Sequence, residues 1–299
     1  MSHVAVPMSH VPVLLNEVIQ FLGPKSGEFI IDGTVNGGGH AEAILEKVGP
    51  DGKLLGIDWD PAVLANCRER LGKQDNVTLV QGNFADVAGI LEREKLERAD
   101  GLLLDLGFSS HQTDASGRGF SFMKDEPLQM TYDPQHPSAS SVIAQISERD
   151  LSQIIATLGQ ERYARRIARA IKETQKRSLI RTSGELAKVI ANAVPKGYER
   201  GRIHPATRTF QAIRIFVNDE LENISRALEA LPQVMRPGGR VVVISFHSLE
   251  DAAVKRGFRE LASREALQIV TKKPVRPTEE EILKNPRSRS AHLRAAVMT

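Results

Sequence analysis

The sequence predicts an α/β protein whose mostly parallel, Rossmann-like sheet carries an inserted all-helical subdomain. Short apolar strands alternate with amphipathic helices in the first part of the chain, which is typical of a parallel sheet. Three of these strands end in an acid, at Asp32, Asp58 and Asp105. The alternation then gives way to helical patterns alone and resumes later. The predicted division is residues 1–111 and 204–299 for the discontinuous α/β domain, and 112–203 for the insertion.

The first part of the α/β domain is predicted from strand, turn and capping patterns. A glycine-rich turn at 33–39 leads from the first strand into a helix, as in α/β folds that hold a nucleotide-like cofactor. The helix at 61–71 begins with Asp60 as its N-cap and Pro61 at its first position. The predicted strands are 29–31, 53–58, 77–80 and 101–105, and a further helix is predicted at 13–22.

The insertion contains helical patterns only, and the α/β pattern returns after it. The predicted helices of the insertion are 143–157, 160–176 and 182–193. The elements predicted beyond it are a long amphipathic segment at 206–235, a strand at 240–246, a helix at 249–261 and strands at 267–271 and 291–298. We expect the last two strands to pair as an antiparallel hairpin at the edge of the sheet.

The composition is that of a globular protein without a membrane segment. Of the 299 residues 41% are hydrophobic and 26% are charged, and no apolar run approaches the ~20 residues that a membrane helix needs. The single cysteine, Cys67, excludes an internal disulfide, and it fits a reducing cytoplasm. No metal site is predicted. The net charge is only +3, but the segment from Gln160 to Arg214 holds 14 Lys and Arg against 4 Asp and Glu, an excess that suits a polyanionic partner.

The acids at the strand ends bear on which cofactor the glycine-rich turn holds. The carboxyl ends of parallel strands share one edge of a sheet, so we expect Asp32, Asp58 and Asp105 to converge there. Asp58 is placed to bind ribose hydroxyls, which suits a dinucleotide or S-adenosylmethionine. A pyrophosphate needs unopposed N–H groups, and Asp32 would repel it, whereas carboxylates favour an amino group and a sulfonium centre. The three acids therefore favour S-adenosylmethionine, bound beside Gly38 and Gly39.

Two features of this predicted site have simpler interpretations. Each strand-end acid could be the N-cap of the helix that follows it. We favour the cofactor interpretation because three such acids occur at strand ends. Phe84, which follows the third strand, could flank an adenine ring or belong to the hydrophobic core.

The methyl acceptor is constrained by the cysteine and by the residues after the fourth strand. Cytosine-C5 methylation needs a thiolate nucleophile, and Cys67 lies in mid-helix, away from the carboxyl edge. The stretch from Asp105 to Phe108 resembles in position the acidic-x-x-aromatic corner of exocyclic-amine methyltransferases. Asp105 is thus a candidate acceptor for the amine and Phe108 for stacking on the base, although Asp105 could serve the cofactor alone. His247, after the fifth strand, is a candidate base, but a lone histidine is more often a structural hydrogen-bonding group.

Five arginines form the candidate RNA-binding surface. Four of them recur at helical spacing and so share one face of a predicted helix. As a bare pattern, that face could equally be a solvated one. Arg208 follows in the same basic segment. The candidates are Arg162, Arg165, Arg166, Arg169 and Arg208.

The chain resembles the RsmH (MraW) family, bacterial methyltransferases that act on N4 of a cytidine in 16S ribosomal RNA. The resemblance spans nearly the whole length, and its matching stretches occur in the family's order. They include Asp32-Gly33-Thr34 with Gly37-Gly38-Gly39-His40, Asp105-Leu106-Gly107 with Ser109-Ser110 and Gln112, Arg118-Gly119-Phe120-Ser121-Phe122, His204-Pro205-Ala206-Thr207-Arg208-Thr209-Phe210, Ser245-Phe246-His247-Ser248-Leu249-Glu250-Asp251, and Asn285-Pro286-Arg287.

The resemblance implies a class I S-adenosylmethionine-dependent methyltransferase whose helical insertion helps to seat RNA. It adds His40 and Gln112 to the cofactor site that the residues themselves predict. It implies that the substrate is a cytidine in the decoding region of the small ribosomal subunit, and that the enzyme is cytoplasmic. No membrane and no obligate protein partner are implied. The implied cofactor site comprises Gly38, Gly39, His40, Asp58, Phe84, Asp105 and Gln112.

Three departures from the family pattern keep other functions open. Gln129 and Thr131 stand where the family has an acid and an arginine, and Ala252 stands where it favours arginine. The main hypothesis is an RNA cytosine-N4 methyltransferase. A second hypothesis is a weak or inactive ribosome-assembly or RNA-binding protein that keeps the cofactor fold. A third is methylation of a different substrate.

Overall fold

The chain folds into two units in a computed structural model that describes residues 12–71, 74–106, 117–133 and 136–299. One unit combines residues 1–109 and 221–299, and the other consists of residues 110–220. Within the described ranges, no helix has the length and apolar character that a membrane span requires.

The first unit is built on a sheet of seven described strands in the order β3-β2-β1-β4-β5-β7-β6. Strands β1 to β5 pair in parallel, and β7 pairs antiparallel with both β5 and β6. The predicted Rossmann-like fold with an antiparallel edge hairpin is therefore confirmed. The strands are β1 Phe29–Asp32, β2 Lys53–Asp58, β3 Val77–Gln81, β4 Ala99–Asp105, β5 Met235–Ser245, β6 Leu267–Ile269 and β7 His292–Met298.

Helices cover both faces of this sheet. Successive residues of a strand point to opposite faces, so Ile30 joins one hydrophobic cluster and Ile31 the other. The helices that precede the second unit are α1 Leu15–Leu22, α2 Gly39–Val48, α3 Pro61–Leu71 and α4 Val87–Arg93. Those that follow it are α10 Glu220–Glu229, α11 Leu231–Val234, α12 Ser248–Ser263 and α13 Glu279–Lys284.

The second unit is helical and has its own core. Apolar side chains from several helices meet there, including Ile143, Ile155, Ile167 and Ile190. Its described helices are α5 Ala139–Gln145, α6 Glu148–Leu158, α7 Ala164–Gln175, α8 Ser183–Ala193 and α9 Thr207–Val217.

The predicted helix 143–157 is wrong in its continuity, and the predicted amphipathic segment 206–235 divides into separate helices. The predicted helix 143–157 is two helices, because Ile146 is extended and the Ser147 side chain caps α6 by accepting the Asp150 N–H at 3.1 Å. The predicted amphipathic segment 206–235 is three helices, α9 to α11. Asp219, with a φ of 50°, separates the first two.

The second unit also extends further along the chain than the predicted insertion at 112–203. It continues to Glu220 because α9 packs into its core through Phe210 and Ile213. The boundary predicted from the sequence precedes α9, whereas the boundary defined by packing follows it. The amphipathic pattern of α9 fits either unit, so the sequence alone does not decide between them.

Candidate active site

The three strand-end acids lie together at the carboxyl edge of the sheet. In the parallel register Asp32 of β1 is opposite Gly56 of β2 and Leu103 of β4, so the ends of these strands are adjacent. Asp32, Asp58 and Asp105 are only 1%, 6% and 3% exposed. The predicted convergence of these side chains is therefore found in the structure, and all three carboxyl groups are nearly removed from water.

Main-chain N–H groups hold Asp58 in place. Its Oδ2 accepts the N–H of Asn36 at 3.0 Å, and its Oδ1 accepts the N–H of Asp60 at 2.9 Å. Burial raises the pKa of Asp58 to about 6, and these hydrogen bonds oppose that rise. The Trp59 N–H also hydrogen-bonds to this carboxylate. Two carboxylate oxygens offer about four lone-pair sites, so the group can still accept a hydroxyl group without giving up these supports.

The glycine-rich turn leaves little room for side chains. Asn36 and Gly38 have φ values of 46° and 77°, the left-handed region that favours glycine. A Cβ on Gly33 would lie 2.5 Å from Leu104 Cδ2, and one on Gly39 would lie 2.9 Å from Pro12 Cγ. The turn can therefore approach both the sheet and the N-terminal segment closely before α2 begins.

Asp32 has a strongly raised pKa. Burial raises its pKa to about 8, with smaller contributions from the neighbouring charges of Asp105 and Asp58. Its Oδ1 accepts the Thr34 N–H at 3.2 Å, whereas its buried Oδ2 has no hydrogen-bond partner among the described residues. A cationic donor in contact with this oxygen would satisfy it and favour its ionised form.

His40 presents a second acceptor to the same place. Burial lowers its pKa to about 4, so the imidazole is neutral near pH 7. Nε2 lies 2.9 Å from the carbonyl oxygen of Val13, which assigns the ring proton to Nε2. Nδ1 is then an acceptor, and it lies 3.6 Å from Oδ2 of Asp105. Two acceptors thus lie side by side at this edge of the sheet.

The end of β4 is tied to the turn after β1. The N–H of Asp105 donates to Thr34 Oγ1 at 2.6 Å, and Asn36 Nδ2 donates to the Asp105 carbonyl at 3.4 Å. Thr34 and Asn36 are site residues that the sequence analysis missed as individuals. Their position in the turn between Asp32 and the three glycines could have identified them. A turn that follows one strand-end acid lies close enough to support the acids at the neighbouring strand ends.

Phe84 and His247 have described structural roles. Phe84 begins a short 3₁₀ turn after β3, where its half-buried ring packs against the core. His247 caps α12: Nδ1 accepts the Glu250 N–H at 3.3 Å, and Nε2 lies 3.1 Å from Glu250 Oε1. Both ring nitrogens of His247 are thus engaged, which favours the structural interpretation over a base. Phe108 and Gln112, the remaining predicted site residues of this corner, lie outside the described residues.

The predicted basic surface lies on the second unit. Arg165, Arg166 and Arg169 are exposed on α7 and line a groove of about 960 Å³ that also includes Arg162 and Arg149. We call Arg165, Arg166 and Arg169 the α7 basic face.

The other two predicted arginines lie outside α7. Arg162 precedes the helix, with its guanidinium 4.9 Å from the centre of the Tyr163 ring. Arg162 and Arg208 both pair with Glu199, at 3.9 and 3.1 Å. The helical spacing thus brings three of the five predicted cations onto one helix face.

A separate cavity of about 1070 Å³ occurs in the first unit. Its lining includes the first residues of two strands, Phe29 and Lys53, and Asn76 just before β3. It therefore lies at the amino edge of the sheet, opposite the edge that carries the acids, and we assign it no part in the site.

Comparison with known proteins yields a consistent result. A family model described as the MraW methylase family matches residues 7–299. The ribosomal RNA small subunit methyltransferase H of Syntrophus aciditrophicus is 47% identical over 306 residues, covering 96% of this chain and 96% of that protein. The protein of the same name from Trichlorobacter lovleyi is 46% identical over 304 residues, covering 96% and 97%. A solved rRNA methylase from Streptococcus thermophilus is more distant, with a TM-score of 0.43, 9% identity and coverage of 95% and 93%.

Proposed function

Because the chain belongs to the MraW methylase family, we propose that it transfers a methyl group from S-adenosylmethionine to the exocyclic N4 amine of a cytidine in the decoding region of 16S ribosomal RNA. The observation that carries this proposal is the group of buried acceptors at the carboxyl edge, Asp32, Asp58, Asp105 and His40. The names of the relatives, which are ribosomal RNA small subunit methyltransferases, support the substrate.

The acceptors at this edge suit S-adenosylmethionine better than a dinucleotide. When bound, S-adenosylmethionine supplies a methyl group activated by a sulfonium centre. The Oδ2 atom of Asp32, buried without a hydrogen-bond partner among the described residues, would accept a cationic amino group. Asp58, already fixed by main-chain N–H groups, would accept ribose hydroxyls. A pyrophosphate would instead bring no donor for Asp32 Oδ2, and it would be repelled by every carboxyl group at this edge that is ionised.

Cysteine chemistry is not supported for this chain. Cys67 is buried in α3, and burial raises the pKa of its thiol to about 12, with Asp32 and Asp58 adding to the shift. At pH 7 a thiolate is scarcely populated at such a pKa. The covalent route to C5 of cytosine needs that thiolate, so methylation of the exocyclic amine is the better-supported reaction.

Asp105 is the residue we propose to orient the amine. The lone pair of a cytosine amine is delocalised into the ring, which makes the amine a poor nucleophile. A carboxylate that accepts one of its N–H bonds would localise the lone pair for in-line attack on the methyl carbon. The new N–C bond forms as the S–C bond breaks, and the amine proton then leaves to Asp105 or to water. The main-chain bonds of Asp105 to Thr34 and Asn36 hold this group in place.

Two of the three departures from the family pattern, Gln129 and Thr131, lie in one loop and do not disturb its main-chain bonds. Gln129 and Met130 donate their N–H groups to the Arg118 carbonyl at 3.2 and 2.8 Å, and the Gln129 carbonyl accepts the Ala139 N–H at 2.7 Å. These bonds do not require an acid at 129 or an arginine at 131. We favour an active enzyme over an inactive assembly protein because the buried acceptors Asp32, His40, Asp58 and Asp105 are all present at the carboxyl edge.

The second unit is our proposed RNA-recognition unit. The exposed arginines of the α7 basic face line a groove, and cations at such a surface bind phosphates independently of sequence. The target base must be unpaired or flipped out to reach a site of buried carboxylates. We expect the protein to act in the cytoplasm on small subunits, without an obligate protein partner.

Mass spectrometry of the RNA tests the reaction and its product together. Purified protein is incubated with S-adenosylmethionine and with small subunits from a strain that lacks this methylation, and the RNA is digested to nucleosides. We expect N4-methylcytidine from one position in the decoding region. If the RNA is bound but no methylated nucleoside forms, the assembly-protein hypothesis replaces the enzyme. If a different methylated nucleoside forms, the acceptor assignment is wrong.

A further inference from the structure

Three aromatic rings of the second unit form a contiguous cluster that runs from the core to the surface. The ring of Phe122 lies 4.4 Å from that of His204, with an angle of 19° between their planes. On the inner side Phe210 meets Phe122 edge-on, with 5.2 Å between ring centres. Phe210 is 3% exposed, Phe122 is half-buried, and His204 is exposed. One face of the imidazole is therefore covered by Phe122, which leaves the accessible surface of the ring on its other side.

His204 is held in a fixed orientation. Its Nδ1 accepts the N–H of Ala206 at 3.2 Å, Pro205 restricts the backbone between them, and α9 begins at Thr207. A ring that is stacked on one side and hydrogen-bonded at one nitrogen loses little further freedom when a second ring joins the stack. Such preorganisation favours binding of a flat ligand.

The segment that leads to His204 is anchored beside the start of α7. The hydroxyl of Tyr198 donates to the carboxylate of Glu161, which is 2% exposed and also accepts the Tyr163 N–H at 2.7 Å. Glu199, the next residue along the segment, pairs with Arg208 at 3.1 Å. The segment between Tyr198 and His204 is thus tied to the part of the second unit that carries the α7 basic face.

Exposed cations accompany the ring along the same segment. Lys196, Arg200 and Arg202 are all exposed, and Lys124 is exposed close to Phe122 in the chain. Glu199 and Arg200 have left-handed φ values of 47° and 54°, a conformation that non-glycine residues rarely adopt. The Tyr198–Glu161 contact, the Glu199–Arg208 pair and the hydrogen bond from the Arg200 N–H to the Gly197 carbonyl at 2.9 Å hold it in place. The result is an aromatic ring at the end of a fixed, positively charged segment.

We propose that the exposed face of His204 stacks against an unpaired base of the RNA substrate, and that Arg200 and Arg202 bind the adjoining phosphates. This inference rests on the proposed function, because it takes RNA as the ligand. Proteins recognise single-stranded RNA by stacking its bases on aromatic side chains beside cations that bind the backbone. Phe122, which packs against Phe210, supports the His204 ring from one side. The positive charges of Arg200 and Arg202 complement the negative charges of the phosphates.

Two substitutions at His204 separate stacking from local structure. His204→Asn keeps a side-chain acceptor for the Ala206 N–H but removes the ring, whereas His204→Phe keeps a ring and removes the acceptor. The probe is a short single-stranded oligoribonucleotide that carries the fluorescent base 2-aminopurine. Its affinity is measured by fluorescence anisotropy, and stacking by quenching of the fluorescent base. We expect His204→Asn to bind about tenfold more weakly, within the range for loss of one base–aromatic stack, and His204→Phe to bind within about twofold of the wild type.

His136→Ala is the matched control, since His136 is another histidine of the second unit and pairs with Asp133 at 3.5 Å. It should bind the probe like the wild type. Thermal unfolding of all three variants checks that the fold is retained. Wild-type affinity and quenching in His204→Asn would overturn the proposal. So would an equal loss in His204→Asn and His204→Phe, which would trace the effect to the hydrogen bond with Ala206.

The two proposals fail in different ways. If the wild-type protein yields no N4-methylcytidine but His204→Asn still loses affinity for the oligoribonucleotide, the proposed reaction is wrong and the stacking platform remains. If the wild-type protein methylates small subunits and His204→Asn binds and quenches normally, the platform is wrong and the reaction remains.

Discussion

The carboxyl edge of the first unit and the α7 basic face of the second unit use charge in opposite ways. The acids Asp32, Asp58 and Asp105 are nearly inaccessible to water, and burial raises the pKa of the first two. The arginines of the α7 basic face are solvated. A buried charge interacts strongly with one partner at short range, whereas a solvated charge is screened and contributes little by itself. The first arrangement suits one small ligand and the second a long polyanion.

The two regions also differ in what holds the charges in place. Asp58 accepts main-chain N–H groups of Asn36, Trp59 and Asp60, and Asp32 accepts one from Thr34, so the turn and strands fix these carboxyl groups before any ligand binds. Among the described residues, Arg169 makes a long ion-pair contact of 3.7 Å to the exposed Glu148. Substitutions in the first region should therefore have large individual effects, and those in the second should have small, additive and salt-dependent ones.

The largest effect is expected at Asp58. We expect Asp58→Ala to weaken binding of S-adenosylmethionine about 100-fold, because hydrogen bonds to a charged acceptor contribute ~1.5–3 kcal/mol each. Isothermal titration calorimetry measures this affinity directly. Asp51→Ala is the control, since Asp51 is an exposed acid that lines the separate cavity at the amino edge of the sheet. Normal affinity in folded Asp58→Ala would contradict the cofactor assignment.

The second prediction concerns the pH dependence of cofactor binding. In the free protein the pKa of Asp32 is raised to about 8, so the carboxyl group is mostly protonated at pH 7. A cationic ligand favours the ionised form, and binding should therefore release a proton. The affinity should rise by up to about tenfold per pH unit as the pH approaches 8, and then level off. Calorimetry in buffers of different ionisation enthalpy counts the released protons.

Asp32→Asn provides the matched test of this pH dependence. The variant should bind weakly with a flat pH profile between 6 and 8. The free wild-type protein should lose stability as the pH rises from about 4 to about 8, because the pKa of folded Asp32 lies above its ordinary value of 3.8. Asp32→Asn removes that loss, so its free energy of unfolding at pH 8 should exceed that of the wild type by more than ~1 kcal/mol. A variant that is both less stable and pH-dependent would show that Asp32 is not the titrating group.

Features that follow from local sequence patterns could be predicted, whereas features that depend on burial could not. The order of strands and the convergence of Asp32, Asp58 and Asp105 follow from local patterns, since each acid ends an apolar run and parallel strands share an edge. The pKa of Asp32 could not be predicted in this way. It depends on burial beneath residues from several elements, and spacing along the chain carries no such information.

The predicted extent of the insertion illustrates a second limit. The amphipathic pattern of α9 indicates that one face is buried but not against which unit, so the sequence alone could not place Phe210 and Ile213 in the core of the second unit. The break at Ile146 and Ser147 was missed because an N-cap serine inside an apolar pattern looks like a polar position of one helix. Capping partners and packing partners are set by the tertiary structure. The break before α6 and the packing of α9 both depend on such partners.

The smallest effect is expected on the α7 basic face. Reversing two charges, in Arg165→Glu with Arg169→Glu, should weaken binding of small-subunit RNA several-fold at low salt. It should also reduce the slope of log affinity against log salt by about 0.7 to 0.9 for each phosphate that the variant no longer binds. Arg93→Glu with Arg264→Glu is the matched control. It changes the net charge equally at two exposed arginines of the first unit, which pair with Glu94 at 3.1 Å and Glu260 at 2.5 Å. Equally weakened binding in both double variants would mean that RNA responds only to net charge, whereas an effect confined to Arg165 and Arg169 would place the bound phosphates on α7.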